Sequence, residues 1–250
     1  MDRSQIITIY RKDLKEILTL ATVKYSFIFF PLIFLFIMLF IILLTHNALL
    51  ANNQLTDIAK LRFFSYMATN YLIFFGIIPL SLASTISSYS IVGEKTQRTI
   101  EPILATPIED SEFFIGKMLA PFIPTMIATY IVAIFYTLFV DYLSLSFGGL
   151  VFPNLVWYVI ILIFIPFSTI LMILLTLIFS SRALDPRSAQ QFSAIIIVPL
   201  LVVFIMSMTQ YAITSFMVVL MSVLIIIFDI IVYRIALRIF NREIIVSRWR

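Results

Sequence analysis

The sequence predicts an all-α polytopic membrane protein. Its parts are six transmembrane helices, an N-terminal amphipathic interfacial helix and a short cytoplasmic helix between spans 2 and 3. Three observations carry this. Of 250 residues, 62% are hydrophobic and only 12% charged, against about 45–50% and about 25% in a soluble domain. The apolar residues gather into runs of the length that crosses a bilayer, about 20 residues each. Lys and Arg alternate in density from one connecting segment to the next. This composition excludes soluble globular, disordered and fibrous proteins. Cysteine is absent, which excludes disulfides and thiolate metal sites, and five glycines leave little room for glycine-built nucleotide loops.

The spans fall at about 26–45, 71–91, 118–140, 156–180, 192–208 and 212–233. Only Ser207, Thr209 and Gln210 divide the last two, so that connector is very short or partly re-entrant. Residues 1–25 are charged and periodic, without the apolar core and small-residue cleavage site of a secretory signal. The chain reads as one transmembrane domain over 1–250. It has a cytoplasmic N-terminus and interfacial helix (1–25), a six-helix bundle (26–233) interrupted by a cytoplasmic loop (92–117), and a cytoplasmic tail (234–250).

Charge fixes the orientation. The leading segment holds Arg3, Arg11, Lys12, Lys15 and Lys24; the second loop Lys95, Arg98 and Lys117; the fourth Arg182 and Arg187; the tail Arg234, Arg238, Arg242, Arg248 and Arg250. The intervening connectors hold only Lys60 and Arg62. Cytoplasmic segments are the Lys/Arg-rich ones, so both termini and loops two and four face the cytoplasm of a cell whose plasma membrane the chain crosses. Nothing in this pattern calls for nucleic acid.

Two cytoplasmic elements are amphipathic. In the first, Ile6, Tyr10, Leu14, Ile17 and Ala21 recur every three or four residues, opposite Arg11, Lys12, Lys15 and Glu16. That pattern fits a helix in the interface plane, apolar stripe toward lipid and basic residues toward anionic headgroups. It serves either as a passive anchor or as a transmitter of motion. The second lies in 92–117. Glu94 and Arg98 stand four apart and Arg98 and Glu101 three apart, spacings that pair on a helix. Ile100, Ile103 and Leu104 give a short apolar face, Pro107 ends the segment, and Asp110 or Ser111 caps the helix entering span 3. A connector between antiparallel spans needs only a few polar residues. The loop is thus either a solvated connector or a docking surface for a soluble partner.

Inside the spans, Ser81, Ser84, Thr85 and Ser88 share one face of span 2, with Ser87 and Ser90 beside it. Small hydroxyl residues let helices approach closely, and the same face can line a pathway between two subunits. Pro79, Pro166 and Pro199 each permit a kink. Asp229 is the one acid well inside a span. It lies within about a turn of Arg234, so pairing or snorkelling accounts for it more simply than an ion relay, which needs further buried acids. Asp141 reads as a boundary residue, and His46, the only histidine, lacks the partners of a metal site.

No catalytic or metal-binding set emerges. G-x-x-x-x-G-K-[ST] is absent, since Met118 follows Gly116-Lys117 and Ser111 stands where the first glycine belongs. H-E-x-x-H and G-x-S-x-G are absent too. The chain carries no cofactor of its own, and any energy source lies on another chain.

Three stretches resemble the membrane subunits of type-two ABC exporters, the sodium-exporter and multidrug-like permeases. They are residues 10–18 (YRKDLKEIL), the run Gly93-Glu94-Lys95 through Thr99-Ile100-Glu101-Pro102-Ile103-Leu104-Ala105-Thr106-Pro107 with Gly116-Lys117, and 240–244 (FNREI) with Arg248-Trp249. The middle one is similar to the family's G-E-[KR]…G-T-[LI]-E-x-[LI]-L-x-[TS]-P segment, except that Arg98 stands in place of the glycine. The resemblance implies a permease subunit without enzymatic activity, paired with a second copy or close relative. Cytoplasmic ABC ATPase subunits, binding ATP and Mg, would power it. The loop helix would then be the coupling helix, with Glu94, Lys95, Arg98, Thr99, Ile100, Glu101, Ile103, Leu104 and Pro107 engaging the ATPase. Ser81, Ser84, Thr85 and Ser88 would lie at the pathway or subunit interface. Lipids are further partners. An ion-coupled secondary transporter and a membrane scaffold docking another partner are the rival readings. The cargo is either hydrophobic or amphipathic, as the apolar pathway suggests, or a small ion.

Overall fold

A computed structural model describes residues 3–19, 21–96, 110–183, 185–193, 195, 198 and 214–239. Among these residues the regular elements are all helical. Helix α1 (Arg3–Thr19) leads into α2 (Ala21–Ala51), followed by α3 (Asp57–Phe74) and α4 (Ile77–Thr96). Then come α5 (Asp110–Ser144), a 3-10 turn (Leu145–Phe147), α6 (Leu155–Val159), a π-helical turn (Ile160–Phe164) and α7 (Ile165–Arg182). The series closes with α8 (Pro186–Ser193) and α9 (Thr214–Ile239).

Five stretches are long and apolar enough to cross a membrane: Val23–Ala51, Asp57–Ser90, Ser111–Phe147, Leu155–Ser181 and Val218–Ala236. They match the first four predicted spans and the sixth. The predicted fifth, 192–208, lies almost entirely outside the described residues, with Pro199 and the connector at Ser207, Thr209 and Gln210. At 31 and 35 residues, α2 and α5 run about 46 and 52 Å at 1.5 Å per residue, well beyond a hydrocarbon core of about 30 Å.

The second span departs from its predicted bounds. Helix begins at Asp57, so Lys60 and Arg62 stand on α3 and not in a loop. Asp57, Lys60, Arg62, Thr69 and Asn70 interrupt the apolar run, which hid this half of the span. Two features hold it helical. Thr56 caps it by accepting from the Ala59 N–H at 3.3 Å. Lys60, Phe64, Ala68 and Leu72 recur every fourth residue along one buried face.

Prolines explain the breaks. Pro79 cannot donate to the Phe75 carbonyl, and α3 gives way to α4 at Phe75 and Gly76, whose N–H groups turn back to Leu72 O and Ile73 O at 3.0 Å each. In the fourth span, Ile165 N–H reaches Ile160 O, five residues back. In that register Pro166 leaves the Ile161 carbonyl without a backbone donor, and the Tyr130 hydroxyl of α5 supplies one at 3.2 Å. Pro31, Pro121 and Pro124 sit inside helices as well; Thr125 Oγ1 donates to the Pro121 carbonyl at 2.7 Å.

Segments that charge assigns to one side collect at one end. There α1 meets the start of α5, α7 meets α4 through Ser180 and Ser88, and Phe114 of α5 meets Tyr233 of α9. We call this the basic end. The opposite, distal end carries the loops around 52–56 and 148–154. A large core around Phe64, Leu72, Phe75, Tyr136 and Ile160 fills the middle and the distal half. A second core, with Ile9, Phe114, Leu174, Leu177 and Val232, fills the basic end. Meanwhile α2 and α9 leave rows of large apolar side chains uncovered, among them Phe36, Phe40, Phe216 and Phe228.

Candidate functional site at the basic end

The hydroxyl face of α4 is gathered as its spacing predicts. Ser84, Thr85 and Ser88 are buried and Ser81 half-buried. Thr85 Oγ1 donates to Ser81 O at 2.9 Å, and Ser88 Oγ to Thr85 O at 2.7 Å. Small side chains that satisfy themselves on their own helix leave a surface other helices can approach. Two do so within this chain. Ser180 Oγ of α7 donates to Ser88 O at 3.2 Å, and Gln190 Nε2 of α8 donates to Thr85 Oγ1 at 2.9 Å. Ser87 Oγ, buried beside them, has no hydrogen-bond partner among the described residues.

Helix α8 is short and folds back against α4 and α7. Asp185 starts it by accepting from Ser188 N–H at 3.3 Å and from Ser188 Oγ at 2.6 Å. The Ser188 hydroxyl holds the Asp185 carboxyl below the usual carboxylate range. Ala189 is buried and Gln190 half-buried, while Arg187 is exposed. Helix α8 therefore brings the fourth loop, which the sequence marked only by its charge, onto the hydroxyl face.

A charged cluster lies nearby, and sequence reasoning did not find it. Lys117 Nζ of α5 sits 3.0 Å from Asp13 Oδ2 of α1, 3.2 Å from Ser90 O and 3.3 Å from Ser90 Oγ of α4. Ser90 Oγ donates to the same Asp13 oxygen at 3.1 Å. The ammonium also lies 5.2 Å from the centre of the Phe113 ring. Lys117 is 0% and Asp13 3% exposed. Breaking such a buried pair by removing one partner costs about 3–5 kcal/mol, because the other charge stays behind uncompensated.

Gly116 makes room for this contact. A Cβ there would stand 2.9 Å from Ile9 Cβ and 3.3 Å from Ile6 O, so only glycine lets α1 come this close. Ile6, Ile9 and Asp13 form the buried face of α1, against α5 and α4, with Tyr10 and Leu14 half-buried; of the stripe expected to face lipid, Ile6 is packed on protein while Ala21, and Ile7 beside the stripe, are exposed. Arg11, Lys12 and Lys15 remain exposed as expected. Asp13, in line with Ile6 and Ile9, was the available signal.

Of the residues assigned to the cytoplasmic loop, Arg98, Thr99, Ile100, Glu101, Ile103, Leu104 and Pro107 lie outside the described residues. Glu94 and Lys95 stand on the last turn of α4. Helix α5 is described from Asp110 on, so Asp110 and Ser111, the two residues named as its cap, both stand within it and the position before them lies outside the described residues.

Asp229 does not pair with Arg234. Its carboxylate is buried on the face of α9 that also buries Ser222 and Val232, neither oxygen has a hydrogen-bond partner among the described residues, and Arg234 is exposed. The two stand five residues apart, about 140° apart round the helix, and so on different faces. At the distal end Asp141 does more than mark a boundary: its Oδ1 accepts from Val151 N at 3.0 Å and Phe152 N at 2.9 Å. His46 packs against the Phe64 and Phe147 rings, which also touch each other, and its Nε2 lies 2.8 Å from Ser146 Oγ. Among the described residues no group of His, Cys, Asp and Glu could hold a metal.

Long apolar helices carrying a buried polar layer at one end define a polytopic membrane protein. The family model of the ABC-2 family transporter proteins matches residues 7–216, and the chain belongs to that family. It is an ABC-2 type permease, the non-enzymatic membrane component of a transporter. The match takes in most of α1, the region around Gly116 and the hydroxyl face of α4. No curated protein matches the chain.

Proposed function

We propose that the chain is one of a pair of permease subunits in an ATP-driven exporter, with six spans, a fifth helix in 192–208 and both termini in the cytoplasm of a cell whose plasma membrane it crosses. Separate ABC ATPase subunits bind ATP and Mg and engage the 97–109 segment, where Arg98, Thr99, Ile100, Glu101, Ile103, Leu104 and Pro107 act with Glu94 and Lys95 before it. One observation carries this. The stems of that segment, α4 and α5, are already in contact at Ser90 and Lys117, yet 97–109 is far longer than joining adjacent stems requires. The excess chain is available for docking, and ABC-2 family permeases typically work with ABC ATPases.

In this reading the hydroxyl face at Ser81, Ser84, Thr85 and Ser88 borders the pathway. Its contacts with Ser180 and Gln190 describe a closed state, and α4 must part from α7 or α8 to open it. Binding of ATP on another chain biases such an equilibrium only through contacts that differ between the two states.

The test is co-purification of the chain with its ATPase, and Leu104→Asp is its sharpest form. Buried apolar anchors at the centre of an interface dominate affinity, and loss of one costs on the order of 1–3 kcal/mol. Leu104→Asp should keep membrane abundance and lose the ATPase by about tenfold to a hundredfold in affinity. Full binding by Leu104→Asp would return the segment to an ordinary solvated connector.

A further inference from the structure

We propose that Asp13, Ser90 and Lys117 form a mechanical joint: through it α1 and the two stems of the 97–109 segment move as one rigid body. The proposal rests on the reading above that an ATPase engages that segment. Asp13 and Lys117 are then positioning residues for coupling, and α1 is part of the lever.

The cluster joins three helices that are remote in sequence, and it does so beside both stems. Ser90 stands six residues before the end of α4 at Thr96, and Lys117 seven after the start of α5 at Asp110, so the joint is about 10 Å along each helix from the segment. One ammonium satisfies itself on all three: Asp13 Oδ2, the Ser90 carbonyl and hydroxyl, and the Phe113 ring of its own helix. If a stem turned without α1, the motion would leave a buried charge without its partner, a heavily penalised state. Gly116 removes the slack in the other direction, because Ile6 and Ile9 sit where a side chain would stand. A helix that merely anchored the chain to lipid would need apolar residues along this face. The buried carboxylate in the middle of it serves attachment to α5 and α4.

The test follows α1 during the ATPase cycle. In the complex purified with its ATPase, spin labels are placed at Lys15 on α1, at Ser111 on the α5 stem and at Leu150 on the distal loop, and paired distances are measured without nucleotide and with ATP and vanadate. The expected result is a Lys15–Ser111 distance that stays narrow and constant, while the distances of both from Leu150 shift together. In Lys117→Met the Lys15–Ser111 distribution should broaden, and Lys15 should no longer follow Ser111, with the ATPase still bound. Should Lys117→Met fail to reach the membrane, Asp13→Asn keeps an acceptor for Ser90 without the charge and should show the same loss of following to a smaller degree. The joint alone is overturned if the ATPase binds but Lys15 stays put while Ser111 moves, if neither moves, or if the variants follow as the unaltered chain does. A chain that recruits no ATPase overturns the functional reading, and the lever with it.

Discussion

The two ends of the bundle are held together by different means. At the distal end, side chains tie down backbone. Asp141 gathers the N–H groups of Val151 and Phe152, Asn154 caps α6 through Trp157 N at 2.8 Å, and the Tyr136 hydroxyl donates to the Ala68 carbonyl at 3.0 Å. Aromatic rings around His46 fill the space between. At the basic end the ties run between helices: Asp13 with Lys117, Gln190 with Thr85, and Lys117 and Ser180 with the carbonyls of Ser90 and Ser88. Caps belong to the local fold of a loop and persist as long as the loop does. Uncharged contacts between packed helices, such as Gln190 with Thr85, can be exchanged when one helix shifts, whereas the buried Asp13–Lys117 pair holds its helices together. The comparison teaches that the distal end is built to hold its shape, while the basic end combines one charged contact that resists parting, Asp13 with Lys117, and uncharged ones that can exchange, Gln190 with Thr85 and Ser180 with Ser88.

The largest effect should come from Lys117→Met. It strands the Asp13 carboxylate in a buried site, at a cost of about 3–5 kcal/mol. Thermal unfolding of the purified chain should show a large drop in Tm. Replacing both charges, as in Asp13→Leu with Lys117→Met, should recover most of it, since a buried pair exchanged for apolar residues is often neutral. A single variant as stable as the unaltered chain would remove the contrast between the two ends.

Second is Asp141→Ala, which removes the acceptor for two backbone N–H groups. Hydrogen bonds to a charged acceptor are worth about 1.5–3 kcal/mol each, and because both share one half-exposed oxygen the loss should be about 2–3 kcal/mol in all. Here Tm should fall, while binding of the ATPase and nucleotide-driven motion at the basic end stay unchanged. A variant that lost ATPase binding at unaltered Tm would show that the ends are not separable. Tyr136→Phe comes next. It drops one buried hydrogen bond and keeps the ring against Phe75, 4.7 Å away between centres, so about 1 kcal/mol is expected, read the same way.

These contrasts were unequally legible in the sequence. Spans one, three and four and the collection of Lys and Arg at one end follow from apolar runs and charge counts, which do not depend on who packs against whom. The hydroxyl face of α4 was legible because a helical repeat places Ser81, Ser84, Thr85 and Ser88 together whatever lies opposite. The first half of the second span was hidden because Lys60, Thr69 and Asn70 lower its apolar content, and the Thr56 cap and tertiary burial keep it helical. Asp13 and Lys117 lie 104 residues apart. Each alone looks like one more charge in a basic segment, and only the fold joins them. Gly116 had the same fate: its purpose is the approach of Ile9, which no local pattern announces.

The smallest effect, and the one of opposite sign, should come from Asp229→Asn. Other carboxylates discussed here hold something: Asp13 a lysine and a serine, Asp141 two backbone amides, Asp185 a serine. Among the described residues Asp229 holds nothing, and its two oxygens lie buried on α9 without a donor. A charge in such a site costs several kcal/mol. Asparagine has nearly the same size and cannot take up a charge, so whatever charge the site carries is relieved while its shape is kept. The expected change in stability is therefore zero to slightly favourable, within about 1 kcal/mol, measured as Tm beside Lys117→Met in one detergent. A clear fall in Tm would mean that Asp229 ties α9 to a partner as Asp13 ties α1, and the basic end would gain another contact that resists parting. An unchanged Tm with lost nucleotide-driven motion would separate the two roles instead, leaving α9 structurally indifferent to its carboxyl but dependent on it in the transport cycle.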